Sequence, residues 1–178
     1  MGRKKKRATT HVVVPKPDRL RAFSNEHLRY EIEMLAFAAG RMGNLWRDGS
    51  DDAVSRANRN AMMECFTIHA RALKAFLYEP RGHADDAIAE DFFDQPDVWR
   101  RERGALPEAL AVVSPRVGKE IAHLTYARLL VSPETKGWRP QPIARELIAA
   151  LKKFATGASA DRLHADCGRF ILQLPSLE

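Results

Sequence analysis

The chain has 178 residues, of which 45% are apolar, and this is typical of one globular domain with a substantial core. No apolar run approaches the ~20 residues needed to span a membrane, and the stretch HVVVP is too short for the apolar part of a secretory signal. We therefore expect a cytoplasmic protein that does not associate with membranes. Cys65 and Cys167 belong to no paired zinc or redox motif, so both are predicted to be free thiols.

The net charge of +6 is concentrated at the start of the chain. Five of the 29 basic residues lie there, which leaves 24 basic against 23 acidic residues elsewhere. These five are Arg3, Lys4, Lys5, Lys6 and Arg7. Because such a run is polar and self-repelling, residues 1–16 are predicted to form a disordered basic arm. The arm is suited to non-specific binding of RNA or DNA phosphates; the alternatives are a solubilising tail or, in a nucleated cell, a nuclear-import signal.

Residues 17–178 are predicted to form a single all-α domain, a helical bundle of five to six main helices with short accessory helices. Ser24 is predicted to cap a first helix of about five turns that gives way near Gly40 and Gly43. Apolar residues recur along it at helical spacing. They are Leu28, Ile32, Leu35, Ala39 and Met42.

The next helix, from about Ala53 to Tyr78 with Asp51 or Asp52 as its cap, is the longest and most apolar, which predicts a central position. One line of polar side chains interrupts its apolar surface. The line consists of Asn60, Glu64, Thr67, Arg71, Lys74 and Tyr78. This line indicates either a solvated face or a cleft, because burial of unpaired charges is costly. His69 lies off the line and is interpreted as structural.

Residues 81–107 form short acidic and aromatic pieces, for which we predict two short helices, near Ala84 and near Pro96. Phe92, Phe93 and Trp99 are predicted to cover one end of the bundle. Aspartates in this segment suit helix starts and match no zinc or calcium-loop spacing, so no metal and no cofactor is predicted.

A further helix is predicted over Ser114–Leu130, with Ser114 as its N-cap and Pro115 at the first helical position. Seven residues make nearly two turns, so Arg116 and His123 are expected on one face. Backbone N–H groups at such a helix start, together with Arg116, are suited to holding a phosphate.

Lys119 is expected to add a second cation to this face, and His123 to transfer a proton near neutral pH. The alternative is structural: Arg116 and Glu120 form a surface ion pair, and His123 is a partly buried histidine. After a turn-rich connection, one helix from Ile143 to Gly157 and a last helix from about Ser159 complete the predicted bundle.

Three segments, NAMMECFTIHARALKAFLY, RVGKEIAHLTYARLL and GWRPQPI, resemble a group of small helical proteins similar to the HEPN superfamily. The resemblance covers residues 60–143. It implies a helical bundle that forms a homodimer and, in many members, acts as a metal-independent ribonuclease in toxin, defence or RNA-processing systems. The family motif, an arginine followed at a short spacing by a histidine, falls on Arg116 and His123, with Val117 where the family usually has a polar residue.

The resemblance implies transesterification within RNA, with His123 moving the proton and Arg116 stabilising phosphorane charge. Asn60, Glu64, Arg71 and Lys119 are the expected supporting residues. A protein partner such as an antitoxin also follows from the resemblance. The alternative is a non-catalytic helical module that binds RNA, a nucleotide or a protein.

Overall fold

The computed structural model describes residues 14–47, 49–132 and 137–176. Within these ranges the regular secondary structure is helical and no strand occurs, which confirms the predicted all-α bundle. The α-helices, long and short, are α1 (Pro17–Phe23), α2 (Arg29–Arg47), α3 (Ala53–Tyr78), α4 (Pro96–Glu102), α5 (Glu108–Ala111), α6 (Val113–Arg116), α7 (Pro140–Gly157) and α8 (Ala165–Gln173). Two π-helical turns, Ser24–Leu28 and Val117–Ala122, and two 3-10 helices, Ala89–Phe92 and Tyr126–Leu130, connect them. The predicted basic arm lies outside the described residues except for 14–16.

Helix α1, the first π-helical turn and α2 run on from one another as one long helical segment. The predicted start at Ser24 is wrong, because Pro17 occupies the beginning of this segment and Ser24 lies inside it. Ser24 is fully buried; its hydroxyl donates to the Arg21 carbonyl at 2.9 Å and accepts from the His164 N–H at 3.0 Å. Ser24 therefore joins this segment to the start of α8 instead of capping a helix.

Helix α2 continues past the two glycines that were predicted to end it, and stops at Arg47. A glycine inside a helix costs only about 1 kcal/mol relative to alanine. The buried side chains of Ile32, Leu35, Ala38 and Met42 hold α2 in the core, and this packing outweighs that cost.

Helix α3 has the predicted bounds. Asp52 is its cap: the carboxylate accepts from the N–H groups of Val54 at 2.8 Å and Ser55 at 3.0 Å. Hydrogen bonds from the side chains of Ser50 and Ser55 hold the pKa of Asp52 below its ordinary value. Helices α2 and α3 pack along each other, and α7 packs against both. His69 of α3 bonds through Nδ1 to Glu31 of α2 at 2.7 Å, which agrees with its structural interpretation.

An aromatic cluster closes one end of the bundle, as predicted. Phe154 of α7 is fully buried, and its ring centroid lies 5.3–6.0 Å from those of Phe76, Phe92, Phe93 and Trp99. The helix predicted near Ala84 is absent; residues 83–88 instead form turns and irregular backbone, and the 3-10 helix starts at Ala89.

The helix predicted over Ser114–Leu130 is also not continuous. Helix α6 begins at Val113, so Ser114 lies inside the helix and is not its cap. The π-helical turn ends at Ala122, and His123 has extended backbone angles, φ −125° and ψ 140°. Residues 123–125 therefore separate the π-helical turn from the 3-10 helix Tyr126–Leu130.

Helix α7 ends at Gly157 as predicted and begins three residues before Ile143, at Pro140. The last helix starts at Ala165 instead of near Ser159, with the His164 side chain accepting from the Asp166 N–H at 3.2 Å. Within the described ranges, no helix combines the length and the apolar character that crossing a membrane requires.

Phe154→Ala should destabilise the fold strongly, since Phe154 is buried among four other aromatic rings. Loss of a buried Phe side chain costs about 3–5 kcal/mol, which lowers Tm by roughly 10 °C in a chain of this size. The measurement is thermal unfolding followed by circular dichroism. The control is Phe37→Ala, at a side chain 53% exposed on α2, and an equal Tm loss in both variants would contradict this description of the core.

Candidate functional site

A cleft of about 460 Å³ lies where the end of α2, the first half of α3, the second π-helical turn and residues 137–138 meet. We call it the tryptophan cleft. Its lining residues are Trp46, Arg59, Asn60, Met63, Glu64, Glu120, Ile121, Arg128, Val131, Gly137 and Trp138. Trp46 is 51% exposed although it is a large apolar side chain. The cleft volume is within the range of small-molecule binding sites, about 300–1,000 Å³.

Arg116 fixes one wall of this cleft. Its guanidinium donates to both carboxylate oxygens of Glu120, from Nε at 2.7 Å and from Nη2 at 2.8 Å. The Cζ atom of Arg116 also lies 4.2 Å from the centroid of the Trp138 ring, a cation–π contact. The ion pair is partly buried, so it is screened less than a surface pair and gives Trp138 a defined position. The ion pair with Glu120 that the structural interpretation predicts is therefore present, and phosphate binding by Arg116 stays a prediction.

His123 does not share a helical face with Arg116, so that prediction is wrong. The helix ends one residue before His123, and the side chain is exposed. Two neighbouring side chains bond the carbonyls that a continuing helix would have used. Thr125 donates to the Lys119 carbonyl at 2.9 Å, and Arg128 donates to the His123 carbonyl at 3.1 Å. These bonds stabilise the end of the helix where the sequence pattern predicts its continuation.

The polar line along α3 divides into two parts. Asn60 and Glu64 are exposed and line the tryptophan cleft, as the cleft interpretation predicts. Thr67, Lys74 and Tyr78 are buried further along the helix. Two other expected supporting residues, Arg71 and Lys119, are exposed and do not line the cleft.

Lys74 is buried and belongs to a partly exposed polar cluster that joins the end of α3 to α6. Its Nζ donates to the Glu79 carboxylate and, at 3.1 Å, to the Ser114 hydroxyl. The Ser114 hydroxyl in turn donates to Glu79 at 3.1 Å. The hydrogen bond from Lys74 is the main cause that lowers the pKa of Glu79 below its ordinary value. Ser114 therefore positions the segment that carries Arg116.

The polar side chains that line the cleft differ in how many hydrogen bonds and ion pairs they already form within the protein. Arg59 donates to the Ser50 carbonyl at 2.5 Å and lies 3.5 Å from the Asp51 carboxylate. Arg128 is exposed and bonds to backbone carbonyls. Within the described part of the chain, the side chains of Asn60 and Glu64 accept and donate no hydrogen bond. The cleft thus offers a carboxylate, an amide and a guanidinium beside two indoles.

The sequence reasoning did not identify the two tryptophans or Arg128 as site residues. Trp46 lies at the end of a helix and Trp138 in a turn-rich connection, so neither contributes to a periodic pattern. One sequence feature could have identified them as site residues: both are large aromatic residues that lie outside the apolar stripes. The five basic residues of the arm lie outside the described residues, so their role stays a prediction.

Among the described residues, no group of three or more His, Cys, Asp or Glu side chains is arranged to hold a metal ion. Comparisons of the chain with known protein families, with curated proteins and with solved structures found no match.

Glu79→Gln should lower Tm at pH 7, because it removes the carboxylate that Lys74 and Ser114 bind. Since the pKa of Glu79 is lowered in the folded protein, its stabilising contribution is present above the unfolded value of 4.5 and is lost as the pH falls through the folded value. The Tm difference between wild type and Glu79→Gln should therefore shrink as the pH falls below 4.5. A difference that stays constant from pH 7 to pH 3 would refute this role.

Proposed function

We propose that this protein is a binding module for single-stranded RNA and that the tryptophan cleft receives a base. The observation that carries this proposal is that Trp46 and Trp138 border one cleft together with the exposed guanidinium of Arg128. Proteins that bind single-stranded RNA stack unpaired bases on aromatic side chains and hold phosphates with cations. The cleft supplies both kinds of group.

The position of Trp138 supports this proposal. An exposed indole loses conformational entropy when a base stacks on it, and a side chain that is already held in place loses less. Arg116 and Glu120 hold Trp138 through the cation–π contact and the two hydrogen bonds of their ion pair. Stacking of one base on an aromatic side chain contributes about 1–3 kcal/mol.

The basic arm accounts for the charge that the cleft lacks. The cleft contains two arginines and two glutamates, and the chain beyond the arm is almost neutral. Five cations in the arm supply sequence-independent attraction to phosphates, which depends strongly on salt. In this proposal the arm provides non-specific affinity and the cleft provides the stacking site.

The ribonuclease reaction of Arg116 and His123 stays a prediction. The guanidinium of Arg116 bonds to Glu120 and covers Trp138, and His123 follows the end of the helix. Both residues are expected to act on one phosphate in the reaction, an expectation that joins the family motif to a shared helical face. The binding proposal accounts for more of the described contacts than the catalytic one does.

A second part of the proposal is that two copies of the chain associate. Four large side chains after the helix end are almost fully exposed, and we call them the apolar ridge. They are Leu124 (93%), Tyr126 (90%), Leu129 (81%) and Leu130 (87%). Side chains of this size bury roughly 150 Å² each, so a two-fold contact between ridges would bury about 1,200 Å² in total, the lower limit of specific interfaces.

The position of the ridge favours a second copy. Arg128 lies between Tyr126 and Leu129 in the same 3-10 helix and lines the tryptophan cleft. Association through the ridge therefore brings two clefts close together, which suits one continuous strand of RNA. Linked sites of this kind raise the overall affinity without any new contact to RNA.

Trp138→Ala should weaken binding of a fluorescein-labelled 12-residue RNA of mixed sequence by about tenfold, as expected for loss of one stacking contact. Fluorescence anisotropy measures this Kd, and Phe37→Ala, which removes an exposed aromatic ring outside the cleft, should leave it unchanged. Equal Kd values for wild type and Trp138→Ala would refute the stacking site.

The salt dependence of the same Kd separates the cleft from the arm. Trp138→Ala removes no charge and should leave the slope of log Kd against log salt unchanged. Deleting residues 2–7 removes five cations and should reduce the slope by up to about 3.5. The RNA should be intact afterwards; fragments with 2′,3′-cyclic phosphate ends that are absent with His123→Ala would favour the ribonuclease instead.

The dimer proposal predicts that Leu129→Glu is monomeric, because a carboxylate on the ridge opposes burial of the contact. Sedimentation equilibrium at 100 µM should give a dimer for wild type and for the control Leu172→Glu, at a leucine half-exposed on α8. A monomeric wild type would show that the ridge binds a different partner or none.

A further inference from the structure

We propose that the tryptophan cleft selects guanine, and that Glu64 reads the base with Asn60 beside it. This inference rests on the proposed function, because it assigns the base that the RNA-binding cleft accepts. It goes beyond that proposal in naming the groups that decide between bases, since stacking on an indole discriminates poorly among them.

The placement of the two side chains is the first support. Asn60 and Glu64 are one helical turn apart on α3, so they project from the same face, and both line the cleft. Within the described residues neither side chain has a hydrogen-bond partner. The cleft's other carboxylate, Glu120, is in contrast fully engaged by the two donors of Arg116. Glu64 is therefore the carboxylate that is available to a ligand.

The chemistry of a carboxylate decides which base it accepts. A carboxylate has two oxygens that accept hydrogen bonds and no donor. The Watson–Crick edge of guanine carries two adjacent donors, N1–H and the 2-amino group, which match those two oxygens. Adenine and cytosine each place one amino donor next to a ring nitrogen that accepts, and uracil places one N–H between two carbonyls. Each of these three bases would set an acceptor against a carboxylate oxygen.

The remaining groups have compatible roles. The amide of Asn60 can donate to the carbonyl O6 of guanine, next to the two donors that Glu64 accepts. Arg59 is held by Ser50 and Asp51, whereas Arg128 is exposed and bonds to backbone carbonyls. Arg128 is therefore the cation best placed for the phosphate of the bound nucleotide. Trp46 and Trp138 supply the stacking surfaces.

The test compares four nine-residue RNAs that consist of uridine except at the central position, which is G, A, C or U. With the full-length wild-type chain, the G-containing RNA should bind at least tenfold more tightly than the other three, as expected for a bidentate pair. Fluorescence anisotropy at fixed salt gives the four Kd values. Glu64→Gln, which replaces one acceptor by a donor, should reduce the preference to less than about twofold.

Two controls make the outcome specific. Glu26→Gln changes an exposed glutamate on the first π-helical turn, outside the cleft, and should keep the full preference for G. Glu64→Gln should keep the wild-type Tm, which shows that the variant is folded, since Glu64 is exposed and its side chain has no hydrogen-bond partner within the described residues.

Each possible result has a defined meaning. Wild type that binds all four RNAs equally, or a preference for G that persists in Glu64→Gln, would overturn the guanine inference and leave the proposed RNA-binding function in place. Wild type that binds none of the four RNAs would overturn both. A preference for G that Glu64→Gln removes and Glu26→Gln keeps would support the assignment.

Discussion

The guanidinium of Arg116 is the contact on which the cleft depends. It contacts both the carboxylate of Glu120, which lies in the second π-helical turn, and the indole of Trp138, which lies just before α7. Arg116 thereby links the second π-helical turn to the segment before α7, and these two segments are distant in sequence. An arginine that was expected to bind phosphate is thus used to position an aromatic ring. The planar, delocalised guanidinium is suited to this dual contact, and a lysine ammonium is not.

The main helices of the bundle were predictable because their signals are local. The bounds of α3 follow from the cap at Asp52 and the proline after its end, and the core of α7 follows from apolar residues at helical spacing. Aromatic residues at 92, 93 and 99 were also correctly assigned to one end of the bundle. In each case a short stretch of sequence contains the information that decides the structure.

The errors have a common physical cause, which is that side-chain hydrogen bonds override the signals of cap residues and apolar spacing. Ser24 and Ser114 are both good cap residues by type, yet each is used inside a helix as a hydrogen-bonding link, to His164 and to Lys74 with Glu79. The end of the π-helical turn at Ala122 depends on Thr125 and Arg128, whose side chains bond backbone carbonyls. A periodic apolar pattern does not reveal such bonds.

The candidate site was likewise only partly predictable from the sequence pattern. The polar line on α3 predicts a solvated face or a cleft, because a charged residue on a central helix needs solvent, a partner or a cleft. Asn60 and Glu64 line the cleft, and Arg71 does not. The sequence pattern could not identify the two tryptophans as cleft residues, because their positions in one cleft depend on how α2 and residues 137–139 pack. The shared face of Arg116 and His123 was expected from helical spacing, and the extended backbone at His123 removes that basis. Their catalytic roles came from the family resemblance and stay a prediction.

The central claim is that RNA binds at the two tryptophans of the cleft, and the three tryptophan side chains of the chain provide a direct measurement. Heteronuclear NMR resolves their indole Nε1–H groups while single-stranded RNA is titrated into the full-length protein. Trp99 is buried and its Nε1–H donates to the Leu77 carbonyl at 2.8 Å, so its signal serves as an internal reference. We predict that the signals of Trp46 and Trp138 shift with saturation while that of Trp99 stays in place. Unchanged Trp46 and Trp138 signals at saturating RNA would contradict this account.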